Sequence, residues 1–324
     1  MSKEYATKVL FPTNAAFDFA RGQAGVAYVP YDPVLPVPAE HLDADVLVAW
    51  LNPPALLERA AEEMTRLRLV QGLMAGANTL IGAGFPAGVP IANGRGLHDQ
   101  PVAEHTVALL LAAARRLHLM RDAQSAHRWP AELGGAQPDR NPDVFTTLQD
   151  SNVTIWGFGS IAARLAPMLT ALGARVTGVA TRAGTRDGYE VVAADRLDDL
   201  LPTTDALVMI LPASVATAGA LDARRLALLP RHAWVVNVGR GASVDEAALV
   251  AAIKAGAIGG AALDVFSEEP LPATSPLWGL RNVIISPHAA GGRPLGADAF
   301  VRENVRRLVQ GEPLLNVIDR TKGY

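Results

Sequence analysis

The chain has 324 residues, half of them apolar, which is enough to bury two cores. A net charge of −3 gives no bulk attraction for nucleic acid or an anionic membrane, and the lack of cysteine excludes disulfides, thiolate metal sites and thiol nucleophiles. Met1-Ser2-Lys3-Glu4-Tyr5 has no apolar signal core, and the longest apolar run, residues 106–114, is short of a bilayer span and bracketed by Glu104, His105, Arg115 and Arg116. We therefore expect a cytoplasmic protein with a small-molecule partner, no metal, and neither a nucleic-acid nor a membrane partner.

Lys8-Val9-Leu10-Phe11-Pro12 reads as a first strand, followed by loop-like Gly, Pro and Asp residues. Residues 45–50 read as a second strand, 54–66 as a helix, and 67–73 as a strand ending in the small-residue turn Ala75-Gly76-Ala77-Asn78. Residues 89–93 are one more strand, and the alternation implies a parallel α/β layer. Residues 101 to about 120 predict one long helix, with Pro101 at its start, Glu104 in its first turn and Arg115, Arg116 and His118 near its end, as the dipole favours. Ala and Leu occupy nearly every face of its middle, so it should be buried all round, between domains or in a subunit interface. Residues 128–149, rich in Pro, Gly and Asp, read as a loop.

Val153-Thr154-Ile155-Trp156 then enters Gly157-Phe158-Gly159-Ser160-Ile161-Ala162, and a helical pattern over 160–172 follows until Gly173 stops it. In a strand–turn–helix unit of this kind the first glycine allows the sharp turn. The second lets backbone approach a pyrophosphate seated on the unpaired amides of the helix start. Gly157, Phe158, Gly159, Ser160 and Ile161 are the cofactor-binding candidates here, and Ala162 stands where close packing of helix on strand suffices. Taken alone, the pattern also fits a helix start in any α/β protein.

Residues 174–182 read as the next strand, at the distance where such a unit reads the ribose. An NAD site would carry Asp or Glu at its end; this chain has Ala180-Thr181-Arg182 and no acid before Asp187. A hydroxyl and a guanidinium suit a 2′-phosphate that a carboxylate would repel. We expect NADP(H), held by Thr181 and Arg182 with Arg186 as a second clamp; NAD stays open, as does a surface loop that happens to hold two arginines. The alternation continues with strands over 206–211 and 233–238, a helix over 222–229, and a capping box at Ser243-Val244-Asp245-Glu246 for a helix ending at Lys254 and Gly256. Strands over 260–266 and 282–286 and a helix over 295–310 complete the pattern.

Three charged or titratable residues fall at strand ends in this second block: Arg240 between two glycines, Glu269 before Pro270, and His288 in Ser286-Pro287-His288-Ala289-Ala290-Gly291. Ligands of open parallel sheets bind at the carboxyl ends of strands, so all three should face the cofactor crevice. A cation for an anion, an acid for an oxygen and a carboxylate partner for that acid make a set for reducing a carbonyl beside a carboxylate. The plain alternatives are a solvated turn at Arg240, a charged pre-proline loop at Glu269 and an ordinary loop residue at His288. The other six histidines fall in helical or loop contexts and read as surface or helix-end residues.

At these residues the chain resembles the D-isomer-specific 2-hydroxyacid dehydrogenase family, whose members include glyoxylate/hydroxypyruvate reductases. The likeness runs from about residue 67 to 313 through the Gly157 turn, Leu211-Pro212 with Thr217, Val238-Gly239-Arg240-Gly241, Leu263-Asp264-Val265-Phe266 into Glu268-Glu269-Pro270-Leu271, and Ser286 to Gly291. Val102-Ala103-Glu104-His105 is similar to the start of the family's domain-crossing helix. The resemblance implies that Arg240 holds substrate carboxylate and carbonyl, that His288 donates the proton with Glu269 as charge partner, and that Asp264 meets the nicotinamide carboxamide. It implies that backbone amides of Ala75 and Gly76 grip the substrate carboxylate, and it adds Leu211, Pro212, Thr217, Val238 and Gly291 to the cofactor candidates. It also implies two Rossmann-like parallel-sheet domains, with a dinucleotide-binding domain (101–288) inserted into a discontinuous substrate domain (1–100 and 289–324), and a homodimer built on the long helix.

Two departures stand out: Gly76-Ala77-Asn78 replaces a Gly-x-Asp common in the family, and the acid missing at Ala180 is similar to NADP-linked members. The reaction expected is reduction of a small 2-oxoacid, glyoxylate or hydroxypyruvate among the candidates, to a D-2-hydroxyacid. A nucleotide-sensing dimeric binding protein is the rival reading. Formate oxidation would leave a proton donor without a carbonyl, and a methyltransferase would leave the later triad without a task.

Overall fold

Runs such as Val46–Ala49, Leu69–Gly72, Ala206–Met209 and Trp234–Asn237 are buried at every position, the pattern of parallel strands covered on both faces. The computed structural model describes residues 7–15, 17, 22–138 and 141–320. The chain divides into two units, one running up to His98 and resuming at Arg293, the other spanning Asp99–Gly292.

In the first unit, strands β1 (Thr7–Pro12), β2 (Val26–Tyr31), β3 (Val46–Ala49), β4 (Leu69–Gly72) and β5 (Ile91–Ala92) form a parallel sheet in the order β2-β1-β3-β4-β5. Alternate residues divide between its faces. Leu10, Leu47 and Val70 pack with Leu57 and Ala60 of the helix Pro54–Glu63, whereas Val9, Val46, Val48 and Leu69 pack with Val301 and Val305 of the helix Ala297–Gln310. β2 lies in a stretch that the sequence presents as loop; its Pro30 is tolerated because the strand is at the sheet edge. The turn after β4 runs into a short helix, Asn78–Gly82, also not anticipated.

In the second unit, β6 (Asn152–Trp156), β7 (Arg175–Ala180), β8 (Gly184–Arg186), β9 (Tyr189–Ala193), β10 (Ala206–Met209), β11 (Trp234–Asn237), β12 (Gly260–Leu263) and β13 (Val283–Ile285) form one sheet. Its order is β13-β12-β11-β10-β6-β7-β9-β8, parallel except for the β8–β9 hairpin. That hairpin turns through Asp187 (φ 50°) and Gly188 (φ 84°), an Asp-Gly pair suited to the left-handed turn, which the strand reading passed over. One face carries Val153 and Ile155 against Leu165, Leu169 and Leu110; the other carries Leu207 and Met209 against Leu226, Leu249 and Ile253.

The predicted helix over 101–120 is two helices, Asp99–Ala114 and Leu117–Ser125. Arg116, at φ 54°, takes the left-handed conformation that ends the first, with no glycine to announce it. In the single chain the first helix leaves Glu104 and Ala108 exposed. The helix Glu246–Lys254 is capped by Asp245, which accepts from the Ala248 amide, and not by Ser243, whose hydroxyl donates to the Arg240 carbonyl. The second unit also extends past the expected limit at 288, because the amides of Ala289 and Ala290 are tied to Asp264 at 2.9 and 3.0 Å.

Leu165 is fully buried between β6 and the helix Asp99–Ala114. Leu165→Ala should destabilise the second unit by about 2–5 kcal/mol, read as a lower urea midpoint at unchanged slope.

Candidate active site

The connections leaving β6 reverse direction between β6 and β10, the topological switch point at which open α/β sheets bind ligands. Gly157 follows β6 at φ 104°, and a Cβ there would lie 2.4 Å from the Ile210 carbonyl oxygen, so only glycine fits. The helix Ser160–Ala171 begins at Gly159, a cap with no side chain to bond its first amides. A Cβ on Gly159 would meet nothing within 4 Å. Free helix amides facing open space are what a pyrophosphate needs, so the residues present fit a dinucleotide. Ala162 is fully buried against the strand, as close packing requires.

The other cofactor candidates differ in what they offer. Phe158 has its ring in the core with Leu165 and Val191, which leaves only its backbone for a ligand. Ser160 is exposed and its hydroxyl donates to Asp99 at 3.1 Å, while Ile161 is half-buried. Leu211 and Val238 are buried, and Thr217 closes the loop after β10 by donating to the Pro212 carbonyl at 2.6 Å. Thr181 and Arg182 are exposed beyond β7. Arg186 donates to the carbonyls of Phe158 (2.6 Å) and Arg182 (3.1 Å), so a cation is fixed between the glycine turn and the end of β7. Ala75 and Gly76 follow β4 in the first unit, where the Ala75 carbonyl accepts from the Asn93 side chain at 2.9 Å.

Arg240 is not a solvated turn. It is half-buried, and its carbonyl accepts from Asn237 (3.1 Å) and Ser243 (2.7 Å), which fixes the backbone behind the guanidinium. Burial pushes its pKa below the ordinary value, opposed by the nearby Glu269 charge; guanidinium remains protonated. Glu269 accepts from the Phe266 amide at 2.9 Å through one oxygen and meets His288 Nδ1 at 2.7 Å through the other. That contact orients the imidazole and leaves Nε2 as the nitrogen that can serve a substrate.

The loop bearing His288 is held by Asp264, whose side chain is only 1% exposed. Oδ1 accepts from Ser286 (2.6 Å) and the Ala289 amide (2.9 Å), and Oδ2 from the Ala290 amide (3.0 Å). The Asp264 carbonyl accepts from the His288 amide at 2.8 Å, and half-buried Gly291 follows the clamp. His105, from the helix Asp99–Ala114, lies 2.9 Å from Ser286 Oγ and 3.3 Å from Asp264 Oδ1. Sequence reasoning matched the stretch containing His105 but gave it no task; a titratable residue one turn from Val102 on an apolar face was the available signal. His98 is also no surface residue, being buried against Trp50 with Nε2 2.7 Å from the Leu73 carbonyl.

A dinucleotide cradle on the same sheet as an imidazole–carboxylate pair and a half-buried guanidinium defines a nicotinamide-dependent oxidoreductase. A family model described as D-isomer specific 2-hydroxyacid dehydrogenase, NAD binding domain, matches residues 107–290. The chain is 32% identical over 294 residues to a glyoxylate/hydroxypyruvate reductase A of Klebsiella pneumoniae, covering 87% of this chain and 88% of that one. A D-isomer specific 2-hydroxyacid dehydrogenase family protein of Aeromonas salmonicida superposes with a TM-score of 0.83 at 28% identity, over 98% of this chain and 99% of that one. An NADPH-dependent glyoxylate/hydroxypyruvate reductase of Sinorhizobium meliloti, in complex with NADP and sulfate, does so at 0.79 and 25% identity, over 98% of this chain and 100% of that one. The chain belongs to the D-isomer specific 2-hydroxyacid dehydrogenase family, whose NAD(P)-dependent members interconvert 2-oxoacids and 2-hydroxyacids.

Burial raises the Asp264 pKa, but hydrogen bonds from His105, Ser286 and the Ala290 and Ala289 amides outweigh it, and the net displacement is downward. A carboxylate depressed by folding stabilises the fold fully above its unfolded pKa near about 4, and the contribution is lost as pH falls through the lower folded value. Wild type and Asp264→Asn should therefore differ in Tm at neutral pH and converge as the pH falls through the depressed folded value. Thermal unfolding scans across that range would refute the clamp if the gap stayed constant.

Proposed function

We propose that this protein reduces a small 2-oxoacid, with glyoxylate and hydroxypyruvate as first candidates, to the D-2-hydroxyacid using NADPH in preference to NADH. The observation that carries the reading is the 2.7 Å pairing of His288 Nδ1 with Glu269 in the unit that also holds half-buried Arg240. Bound nicotinamide supplies the hydride. Arg240 engages the substrate carboxylate and carbonyl with parallel N–H donors, assisted by the backbone amides of Ala75 and Gly76. His288 gives its Nε2 proton to the carbonyl oxygen, so hydride at C2 and proton at oxygen together make the hydroxyacid. Glu269 holds the ring in place for that transfer, and Asp264 would be the residue to meet the nicotinamide carboxamide. A nucleotide sensor with little turnover would have no use for this pairing.

The cofactor preference rests on the strand end at Ala180 and on Arg182 and Arg186. Phe158, Gly159, Ser160 and Ile161 would bind the pyrophosphate, with Gly157, Leu211, Pro212, Thr217, Val238 and Gly291 shaping the crevice. We extend the proposal to a homodimer built on the helix Asp99–Ala114 and the segment after it. There Trp129, 90% exposed, borders an apolar cleft of about 570 Å³ with Met120 and Leu133. A cytoplasmic location completes the reading, and a chain without cysteine is compatible with it.

His288→Ala should lower kcat for hydroxypyruvate reduction by about 10²–10⁴-fold, the usual worth of a placed acid. Initial rates with NADPH test this, and turnover within a few-fold of wild type would remove His288 from the mechanism. Arg182→Ala should raise the NADPH KM by about tenfold or more, as loss of a charge-assisted phosphate contact does, and leave the NADH KM nearly unchanged. Equal effects on both cofactors would disconnect Arg182 from the 2′-phosphate.

A further inference from the structure

We propose that His105 is a positioning residue for His288, acting through Ser286 and Asp264. The inference rests on the reading of His288 as proton donor. Hydrogen counting fixes the direction of the network. Ser286 has one hydroxyl hydrogen, and it goes to Asp264 Oδ1 at 2.6 Å. Its oxygen must therefore accept from His105, which carries a proton on Nε2 and lies 2.9 Å away. The same Nε2–H is 3.3 Å from Asp264 Oδ1, so His105 donates toward both members of the pair.

The chain then runs from helix to loop. His105 fixes the Ser286 hydroxyl, and Ser286 and the amides of Ala289 and Ala290 satisfy the buried carboxylate. These contacts hold residues 286–290 on both sides of His288, whose φ of 51° lies in the left-handed region that non-glycine residues adopt uncommonly. That turn is what brings Nδ1 to 2.7 Å from Glu269. Without His105 the Ser286 hydroxyl can rotate away, Asp264 loses two donors, and the loop can relax toward an ordinary φ that draws the imidazole off Glu269. Displacing a reacting group by about 1 Å can cost a hundredfold in rate.

The test is a double-mutant cycle on the full-length protein with hydroxypyruvate and NADPH, read as kcat and KM, with NADPH affinity measured by fluorescence. His105→Ala should lower kcat by about ten- to a hundredfold with NADPH affinity little changed, and in the His288→Ala background it should cost nothing further. His105→Gln, whose amide N–H can stand where the imidazole Nε2–H does, should recover most of the loss. An equal loss in both backgrounds would make His105 a general structural residue, and unchanged kcat in His105→Ala would overturn the proposal. If His105→Ala fails to fold, Ser286→Ala, which removes the hydroxyl that His105 fixes, carries the same comparison. If His288→Ala itself retains turnover, the reading of the reaction fails instead, a result separate from any loss in His105→Ala.

Discussion

The constraint beneath this site is the register of five parallel strands. Trp156 pairs with Met209, Met209 with Asn237, Asn237 with Leu263 and Leu263 with Ile285, so the last residues of β6, β10, β11, β12 and β13 stand in one row. Whatever follows each of them emerges along one edge of the sheet: Gly157, Ile210, Val238, Asp264 and Ser286. Parallel strands share direction, so their carboxyl ends and the groups just beyond them collect on one side. A one-residue slip in β12 would turn Asp264 to the opposite face and dissolve the row. The apolar cores on both faces, which bury Val208 and Val236 on one side and Leu207 and Val235 on the other, are what prevent it.

Asp264 turns that row into a rigid loop. A carboxylate this deeply buried is tolerable only with donors around it, and most of those come from the segment 286–290. The loop is thereby compelled to fold back on β12, and a histidine in a disfavoured backbone region is the consequence. The buried acid and the strained base form one device: the first supplies the interactions that sustain the second.

Much of this could be read from residue order, and the misses have physical causes. Fully buried strands advertise themselves as short β-branched runs, and Gly157, Arg240, Glu269 and His288 lie at or just beyond the ends of such runs. β2 was hidden because Pro30 and Tyr31 lead into Asp32 and Pro33, a composition shared by loops and edge strands alike. The break at Arg116 had no local signal, since a left-handed arginine is set by packing and not by propensity. Ser243 and Asp245 are both good caps, and a sequence does not say which side chain will be diverted to the Arg240 carbonyl. His105 eluded the reading because its partners are 159 and 181 positions away, a pairing that exists only once helix and sheet have packed.

The ribose end of the cradle shows how a missing residue can be answered by a whole element. Where an NAD-type strand would end in an acid, this chain ends β7 at Ala180 and adds the β8–β9 hairpin at the sheet edge. The hairpin ends its first strand at Arg186, whose guanidinium bonds the Phe158 carbonyl inside the glycine turn and the Arg182 carbonyl beyond β7. Two of its five donors are thus used to brace the cradle, and the rest keep their charge within reach of the same rim. On the proposed reading, exposed Arg182 would have more freedom to lose on meeting a phosphate, whereas the ordering of Arg186 has been met by folding. In the proposed NADPH reading, an acid at position 180 would compete with the 2′-phosphate for these cations. In that proposal the hairpin and the missing acid serve one electrostatic preference.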